Sequence, residues 1–438
     1  MIKDMKTRIS KLNIDFDFEA YWEIIYLILL AFFVGMRFLL STMFTIYWPK
    51  YFYRTLTVIG VVLVLLHLMM AKDISKKEIA AMLVVTFVFM MSHYVSRYDF
   101  LVDLLILILG AYRVNFRNIL KTYIAVWSVL LVVTIIGAMT GLAENLVYYQ
   151  QVENGMRVRM ALGICYPTDL AAYVVFLMFA YATIRNKEIT SLEIFIMIAM
   201  AFIVFYITDA RTDFVVMLLL DIMLFICKSF EKYVNRILQK KQIKCMIYFI
   251  PIFICALSWM FTLLYNEQNE FMVKLDNSFL STRLSLGKQV IDNYSTSVFG
   301  KYIYEKGFGG STESFDGYTF LDCSYISIGM KYGIAFLILV LFVIIYLLKK
   351  FYYENELMLI VLLLLLIQVT SYPRSAILTA SSSTTISTPP SLEGTLFCPS
   401  ITILLIFVAF FFIIPACTFT IYLSQSLYLF FPYNSFQI

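Results

Sequence analysis

Long apolar runs joined by short polar connections constrain the fold of this chain more than any other feature. A membrane-spanning helix needs about 20 mostly apolar residues, and about twelve such runs, some of them short, follow one another along the sequence. Only 14% of the residues are charged, whereas soluble domains carry about 25%. The sequence therefore predicts an all-α, polytopic integral membrane protein and excludes a soluble globular domain. The predicted helices are 21–48, 53–71, 78–94, 98–112, 120–140, 168–184, 192–207, 213–227, 245–264, 321–348, 356–370 and 401–423.

The polar stretches divide the chain into six predicted segments. They are a cytoplasmic N-terminal segment (1–20), transmembrane helices 1–9 (21–264), a long external loop (265–320), helices 10 and 11 (321–370), a Ser/Thr/Pro-rich segment (371–400), and a last helix with a short tail (401–438). The first segment is charged and has no small-residue cleavage site, so we expect a cytoplasmic lead and no cleaved signal peptide. The Ser/Thr/Pro-rich segment cannot build a packed core, so we expect it to be disordered or extended.

Positive charges predict the orientation of the helices. Lysines and arginines concentrate in residues 3–11, 72–77 and 228–244, which fall on one side if the helices alternate in direction. Because such charges are enriched in cytoplasmic connections, we expect both termini in the cytoplasm and the long loop outside.

The long loop is unusual for a membrane protein because simple connections between helices are short. Residues 265–320 mix charged, aromatic and glycine residues, and they include an amphipathic helical pattern that carries Arg283 and Lys288. Loops of this kind often carry function, so we expect this one to cap a site at the outer membrane surface.

A few arginines are predicted to lie outside, against the orientation rule. Arg157 and Arg159 follow the fifth helix, Arg211 occupies the short turn ITDARTDF, and Arg283 lies in the long loop. Arginine stays charged and its planar fork pairs with two phosphate oxygens, so together these side chains could hold a pyrophosphate at headgroup depth. Alternatively they anchor helix ends in lipid headgroups or pair with nearby carboxylates. The carboxylates available for such pairs are Glu153, Asp209 and Asp213.

No cofactor, metal or nucleic acid is predicted. The two histidines lie far apart, the seven cysteines are scattered, and no glycine-rich nucleotide motif stands in a usable context. Nucleotide donors are cytoplasmic, so an external transferase would use a donor carried across on lipid. A base must take the proton from the attacking hydroxyl, and Asp322, beside Ser324 and Tyr325, is the first candidate. The other candidates are Asp169, Asp209, Asp213 and, less well placed, Glu305 and Glu313. The alternative for Asp322 is an acid that is favoured at a helix start by the helix dipole.

The order of these parts over about residues 20–370 resembles the bacterial O-antigen and capsular polysaccharide polymerases (Wzy type), which are related to O-antigen ligases. Three stretches and one residue carry the resemblance: RMALGICYPTDLA, TDARTDFVV, the loop residue Arg283, and LDCSYISIGMKYG. Two stretches depart from the family pattern. Relatives commonly have a His-Pro-Asn run where this chain has Tyr166-Pro167-Thr168-Asp169, and often Asp-Asn where it has Asp322-Cys323.

The resemblance implies a glycosyltransferase of the bacterial cytoplasmic membrane. Such an enzyme moves a growing glycan from undecaprenyl pyrophosphate to a sugar hydroxyl of the next lipid-linked repeat unit, outside the cytoplasm. Its implied partners are the lipid bilayer and, in the same pathway, a chain-length regulator and a flippase. Catalysis is expected from Asp322, Asp169 and Arg211, and substrate binding from Arg157, Arg159, Arg283, Lys288 and Tyr325. A ligase with the same donor, or a transporter of lipid-linked oligosaccharide, remains an alternative.

Overall fold

The computed structural model of the chain describes residues 18–44, 50–152, 155–277, 282–304, 321 and 323–354, and it is mostly helical. Its helices in chain order are α1 (Phe18–Leu39), α2 (Lys50–Met70), α3 (Lys76–Ser96), α4 (Phe100–Gly110), α5 (Phe116–Met139), α6 (Pro167–Arg185), α7 (Ser191–Thr208), α8 (Arg211–Ser229), α9 (Glu231–Leu238), α10 (Lys241–Leu264), α11 (Glu270–Leu275), α12 (Arg283–Tyr294), α13 (Ser324–Ser327) and α14 (Ile334–Glu354). A two-stranded antiparallel hairpin, β1 (Val147–Val152) and β2 (Gly155–Met160), lies between α5 and α6.

Seven of the described helices are long and apolar enough to cross a membrane, and two shorter apolar helices accompany them. The seven are α1, α2, α3, α5, α6, α7 and α10, and the shorter two are α4 and α14. This confirms the expectation of a helical membrane protein. The predicted spans 356–370 and 401–423, like the Ser/Thr/Pro-rich segment, lie outside the described residues.

Each of the first nine predicted runs coincides with a helix, whereas the tenth is divided. Residues Ile328–Tyr332 form a π-helical turn between α13 and α14. The division follows from Gly333, which has a φ of 100° and comes so close to the preceding loop that a Cβ there would lie 2.3 Å from the carbonyl oxygen of Val298.

Short connections make successive helices antiparallel. Two residues, Asp209 and Ala210, separate α7 from α8, and Asp209 ends α7 in the left-handed conformation with a φ of 45°. Local signals also begin helices: Ser75 and Glu78 form a capping box at α3, and Pro167 is the first residue of α6. The end of the bundle at which α7 meets α8 also holds the β-hairpin, and we call it the hairpin end.

The core is centred on α4 and α6, which other helices surround. Buried side chains join α1 to α4 along its length: Trp22 Nε1 donates to the Gly110 carbonyl at 2.9 Å, and the Tyr26 hydroxyl donates to the Leu107 carbonyl at 3.0 Å. These bonds satisfy polar groups that would otherwise be buried without partners in an apolar interior.

A buried ion pair lies toward the hairpin end of α1 and α4. The guanidinium of Arg37 donates to the carboxylate of Asp103, and both side chains are almost fully buried. The same carboxylate accepts from the Tyr53 hydroxyl and, at 3.1 Å, from the Thr57 hydroxyl of α2. The ion pair therefore joins three helices through one acidic residue.

The β-hairpin was not part of the all-α prediction. The second strand alternates apolar and basic residues in MRVRM (156–160), and it pairs with the first so that Tyr149 lies opposite Val158 and Tyr148 opposite Arg159. Paired residues in antiparallel strands share a face, so the arginines and Tyr148 lie on one face of the hairpin. The other face holds Tyr149, Met156, Val158 and Met160 together with the position of Gln151.

Candidate functional site

The inner face of the hairpin places Arg157 and Arg159 against the turn between α7 and α8. Arg157 forms a salt bridge with the carboxylate of Asp209, and its terminal nitrogen lies 3.5 Å from the carbonyl oxygen of the same residue. Arg159 donates from Nε to the carbonyl of Thr208 at 2.9 Å. Those contacts satisfy carbonyl and carboxylate oxygens at the end of α7, where a helix leaves acceptors without intrahelical donors.

Arg211 approaches the same carboxylate from the other side. It is the first residue of α8, its side chain is 72% exposed, and its Nε lies 4.0 Å from Oδ1 of Asp209. Asp209 thus lies between Arg157 and Arg211. We call Arg157, Arg159, Arg211 and Asp209 the arginine cluster.

Two further carboxylates lie beneath the arginine cluster. Asp213, in the first turn of α8, and Asp169, in the first turn of α6, are both buried. The Tyr148 hydroxyl donates to the Cys165 carbonyl at 2.8 Å, and burial raises the pKa of Tyr148, as do the charges of Cys165 and Asp169 to a smaller extent. Asp169 therefore lies close enough to Tyr148 to interact with it electrostatically, and Tyr148 is paired with Arg159 across the hairpin.

Burial lowers the pKa of Arg159, and the neighbouring charge of Arg157 lowers it further, while Asp209 and Asp213 oppose the shift. The three arginines of the cluster balance the formal charge of the three carboxylates (Asp209, Asp213 and Asp169). The positive and negative groups are nevertheless separated in space. The exposed guanidinium of Arg211 lies toward solvent, whereas Asp213 and Asp169 are 3% and 1% exposed. An anion approaching from outside would meet guanidinium groups first.

Hydrogen-bond donors remain available in the arginine cluster. Within the described part of the chain, the terminal nitrogens of Arg159 donate to no acceptor, and Arg211 donates no hydrogen bond at all. Guanidinium forks with unused donors are the groups that bind phosphate oxygens in pairs.

The remaining predicted residues with described positions form a second group at α12 and α13. Arg283, the first residue of α12, interacts electrostatically with Cys323, and the ammonium of Lys288 lies 2.9 Å from Asp292 Oδ1. Tyr325 of α13 is fully buried, and its hydroxyl has no hydrogen-bond partner among the residues described. The contacts described for Arg283, Lys288 and Tyr325 are with this part of the bundle and not with the arginine cluster. Asp322 lies outside the described residues.

Sequence reasoning overlooked Tyr148 and the ion pair of Arg37 with Asp103. Each had a signal in the sequence. The alternation of MRVRM (156–160) after a run rich in tyrosine and valine predicts a hairpin that would bring Tyr148 beside Arg159, and opposite charges inside two apolar runs indicate a buried pair. No group of three or more His, Cys, Asp or Glu side chains within the described ranges could hold a metal ion.

Comparison with known proteins returned no relative: no protein-family model, no curated protein and no solved structure matches the chain. The function must therefore be argued from the residues and geometry of the chain itself.

Proposed function

We propose that this protein is a polysaccharide polymerase that transfers a growing glycan from undecaprenyl pyrophosphate to a sugar hydroxyl of a lipid-linked repeat unit. The hairpin end faces outward, both termini are cytoplasmic, and the membrane is the bacterial cytoplasmic membrane.

One observation carries the proposal: Arg159 and Arg211 have unused guanidinium donors on either side of Asp209, at the end of a bundle of apolar helices. That end of a membrane-spanning bundle lies at headgroup depth, where the diphosphate of a lipid-linked donor also lies. Both guanidinium groups are permanently charged, so they can balance the negative charge that grows on the diphosphate as it leaves.

In the reaction, the acceptor hydroxyl oxygen attacks the anomeric carbon of the donor glycan. The bond between that carbon and the diphosphate oxygen breaks, and the electron pair leaves with the undecaprenyl diphosphate. A carboxylate takes the hydroxyl proton. Because Asp169 is buried beneath Tyr148, we assign proton removal to Asp322 and an orienting role to Asp169. Arg283 and Lys288 bind the repeat unit from the side of the long loop, whereas the fully buried Tyr325 does not contact it.

The proposal is tested in a strain that lacks this protein and is complemented with variants. We expect Arg159→Ala and Arg211→Ala to abolish long surface polymer and to cause single lipid-linked repeat units to accumulate. Arg159→Lys keeps the charge but loses the planar fork, so it should restore only part of the polymer. The matched control is Arg54→Ala, which removes another exposed arginine at the start of α2.

Polymer of normal length in both alanine variants, with membrane levels equal to those of the parent, would refute the proposal. Finished polymer that is not attached to its acceptor would indicate a ligase. The orientation has its own test, since a cysteine introduced by Ser311→Cys should react with an impermeant reagent added outside the cell.

Another observation favours transport of a lipid-linked oligosaccharide as a second candidate. Asp221, in the middle of α8, is buried, and its carboxylate has no hydrogen-bond partner within the described ranges. Ionisable groups buried inside membrane helices commonly mark transport pathways. Purified protein in vesicles that moves the labelled lipid-linked repeat unit between leaflets, with loss of that movement in Asp221→Leu, would support this candidate over the polymerase.

A further inference from the structure

The outer face of the β-hairpin is apolar and exposed. Tyr149 and Val158, which are paired across the strands, are 66% and 44% exposed, and Met156 and Met160 of β2 are 62% and 40% exposed. None of these four side chains carries a charge. A protein surface in water rarely leaves such a row of apolar side chains uncovered. We therefore expect this face to be covered by lipid or by another molecule.

The charged side chains of the same strands lie on the opposite face. Arg157 and Arg159 contact the end of α7, and Tyr148 donates to the Cys165 carbonyl, so the inner face is held against the bundle. Because side chains alternate along a strand, fixing the inner face also fixes the direction of the outer one. The hairpin is therefore amphipathic, with its charged side chains on one face and exposed apolar side chains on the other.

The helices next to the hairpin also expose apolar side chains. The strand β2 packs against α7, whose last turns expose Ile203 and Tyr206, and α5 ends before the hairpin with Ile136 and Met139 exposed. These residues belong to helices that are long and apolar enough to span a membrane. Tyrosines such as Tyr149 and Tyr206 are typical of the membrane interface, where the ring lies in an apolar layer and the hydroxyl reaches water.

We propose that the outer face of the hairpin rests in the bilayer, at the boundary between headgroups and acyl chains. Amphipathic elements lie in this plane with their apolar side in lipid and their polar side away from it. The inference does not depend on the proposed enzymatic activity, since it concerns the opposite face of the strands from the arginines.

The test places a tryptophan on the outer face of the full-length protein in phosphatidylcholine vesicles. Val158→Trp is the main variant, and Tyr149→Trp provides a second probe on the same face. The signal of the parent protein is subtracted from each spectrum. Ile203→Trp on α7 serves as the lipid-exposed control, and Glu267→Trp, in the exposed connection after α10, serves as the aqueous control.

We expect bromine atoms near the headgroups to quench the added fluorescence of both hairpin variants more than bromine atoms deep in the acyl chains. Acrylamide in the water should quench them less than it quenches Glu267→Trp. Strong acrylamide quenching with none from brominated lipid would overturn the proposal, because the hairpin would then project into water. Protection from both quenchers would also overturn it, because a second copy or another protein would then cover the face. If brominated lipid does not quench Ile203→Trp, then α7 does not face lipid beside the hairpin. The proposal would then lose its premise.

Discussion

The carboxylate of Asp103 is the strongest single target for destabilising the helix bundle. It accepts from Arg37 and Tyr53 on one oxygen and from Thr57 on the other, and the ring of Tyr53 lies 5.1 Å from the guanidinium carbon of Arg37. Asp103→Leu removes the acceptor but leaves the Arg37 charge buried. Breaking a buried pair from one side costs about 3–5 kcal/mol, because the remaining charge loses its compensation in an apolar interior.

Two comparisons separate the charge effect from simple loss of a hydrogen bond. Thr57→Val removes a hydroxyl that lies 3.1 Å from Asp103 Oδ1 and 3.2 Å from the Tyr53 carbonyl oxygen but leaves the ion pair intact, and we expect a cost of about 1 kcal/mol. The double variant Arg37→Met with Asp103→Leu removes both charges together. It should be much more stable than Asp103→Leu alone, because replacing a whole buried pair by apolar side chains is often close to neutral.

The measurement is unfolding of purified protein in mixed micelles that are titrated with sodium dodecyl sulfate and followed by circular dichroism. The parent, Asp103→Leu, the single variant Arg37→Met and the double variant make a double-mutant cycle, and we expect the two single changes to be strongly non-additive. If Asp103→Leu costs no more than Thr57→Val, or if the double variant costs the sum of its single changes, the ion pair does not hold the three helices together as argued.

Two further predictions concern local geometry. Gly163 has a φ of 82° and a Cβ there would lie 2.9 Å from the Thr134 carbonyl oxygen, so Gly163→Ala should destabilise the fold by more than Gly141→Ala, where φ is 77° and nothing lies within 4 Å. The same unfolding titration measures this difference, and equal costs at the two sites would contradict the contact argument. Ser75→Ala removes the capping box with Glu78 and should cost about 1 kcal/mol, whereas no measurable change would mean that water replaces the cap.

Helix positions were predictable from the length of the apolar runs. No periodic pattern of buried residues was needed to locate them. Each of the first nine runs lies on a helix, and side-chain caps at Ser75, Asn115 and Thr190 mark the starts of three of these helices. The interruption before α14 was not predicted, because it depends on the close approach of Gly333 to the backbone near Val298, a tertiary contact that leaves no periodic signal.

The candidate site was predictable in part. Arg157, Arg159, Arg211 and Arg283 were expected to hold one pyrophosphate because all four lie in connections predicted to be external, and the structure brings the first three to the end of α7. The contacts of Arg283 belong to a different part of the bundle, because a loop residue takes its position from the helix it packs against and not from its place in the sequence. The buried partners were harder to foresee, since Tyr148 reaches Cys165 only through the register of the hairpin.

The two-residue connection between α7 and α8 has a mechanical consequence. Asp209 ends one helix, holds Arg157 of the hairpin, and precedes Arg211 by two positions, so the hairpin and both helices are joined at this point. The guanidinium groups of Arg157 and Arg159, which are bonded to the end of α7, are therefore held in place before any anion arrives, whereas the exposed Arg211 side chain is not. Binding an anion would then cost mainly the ordering of one arginine side chain.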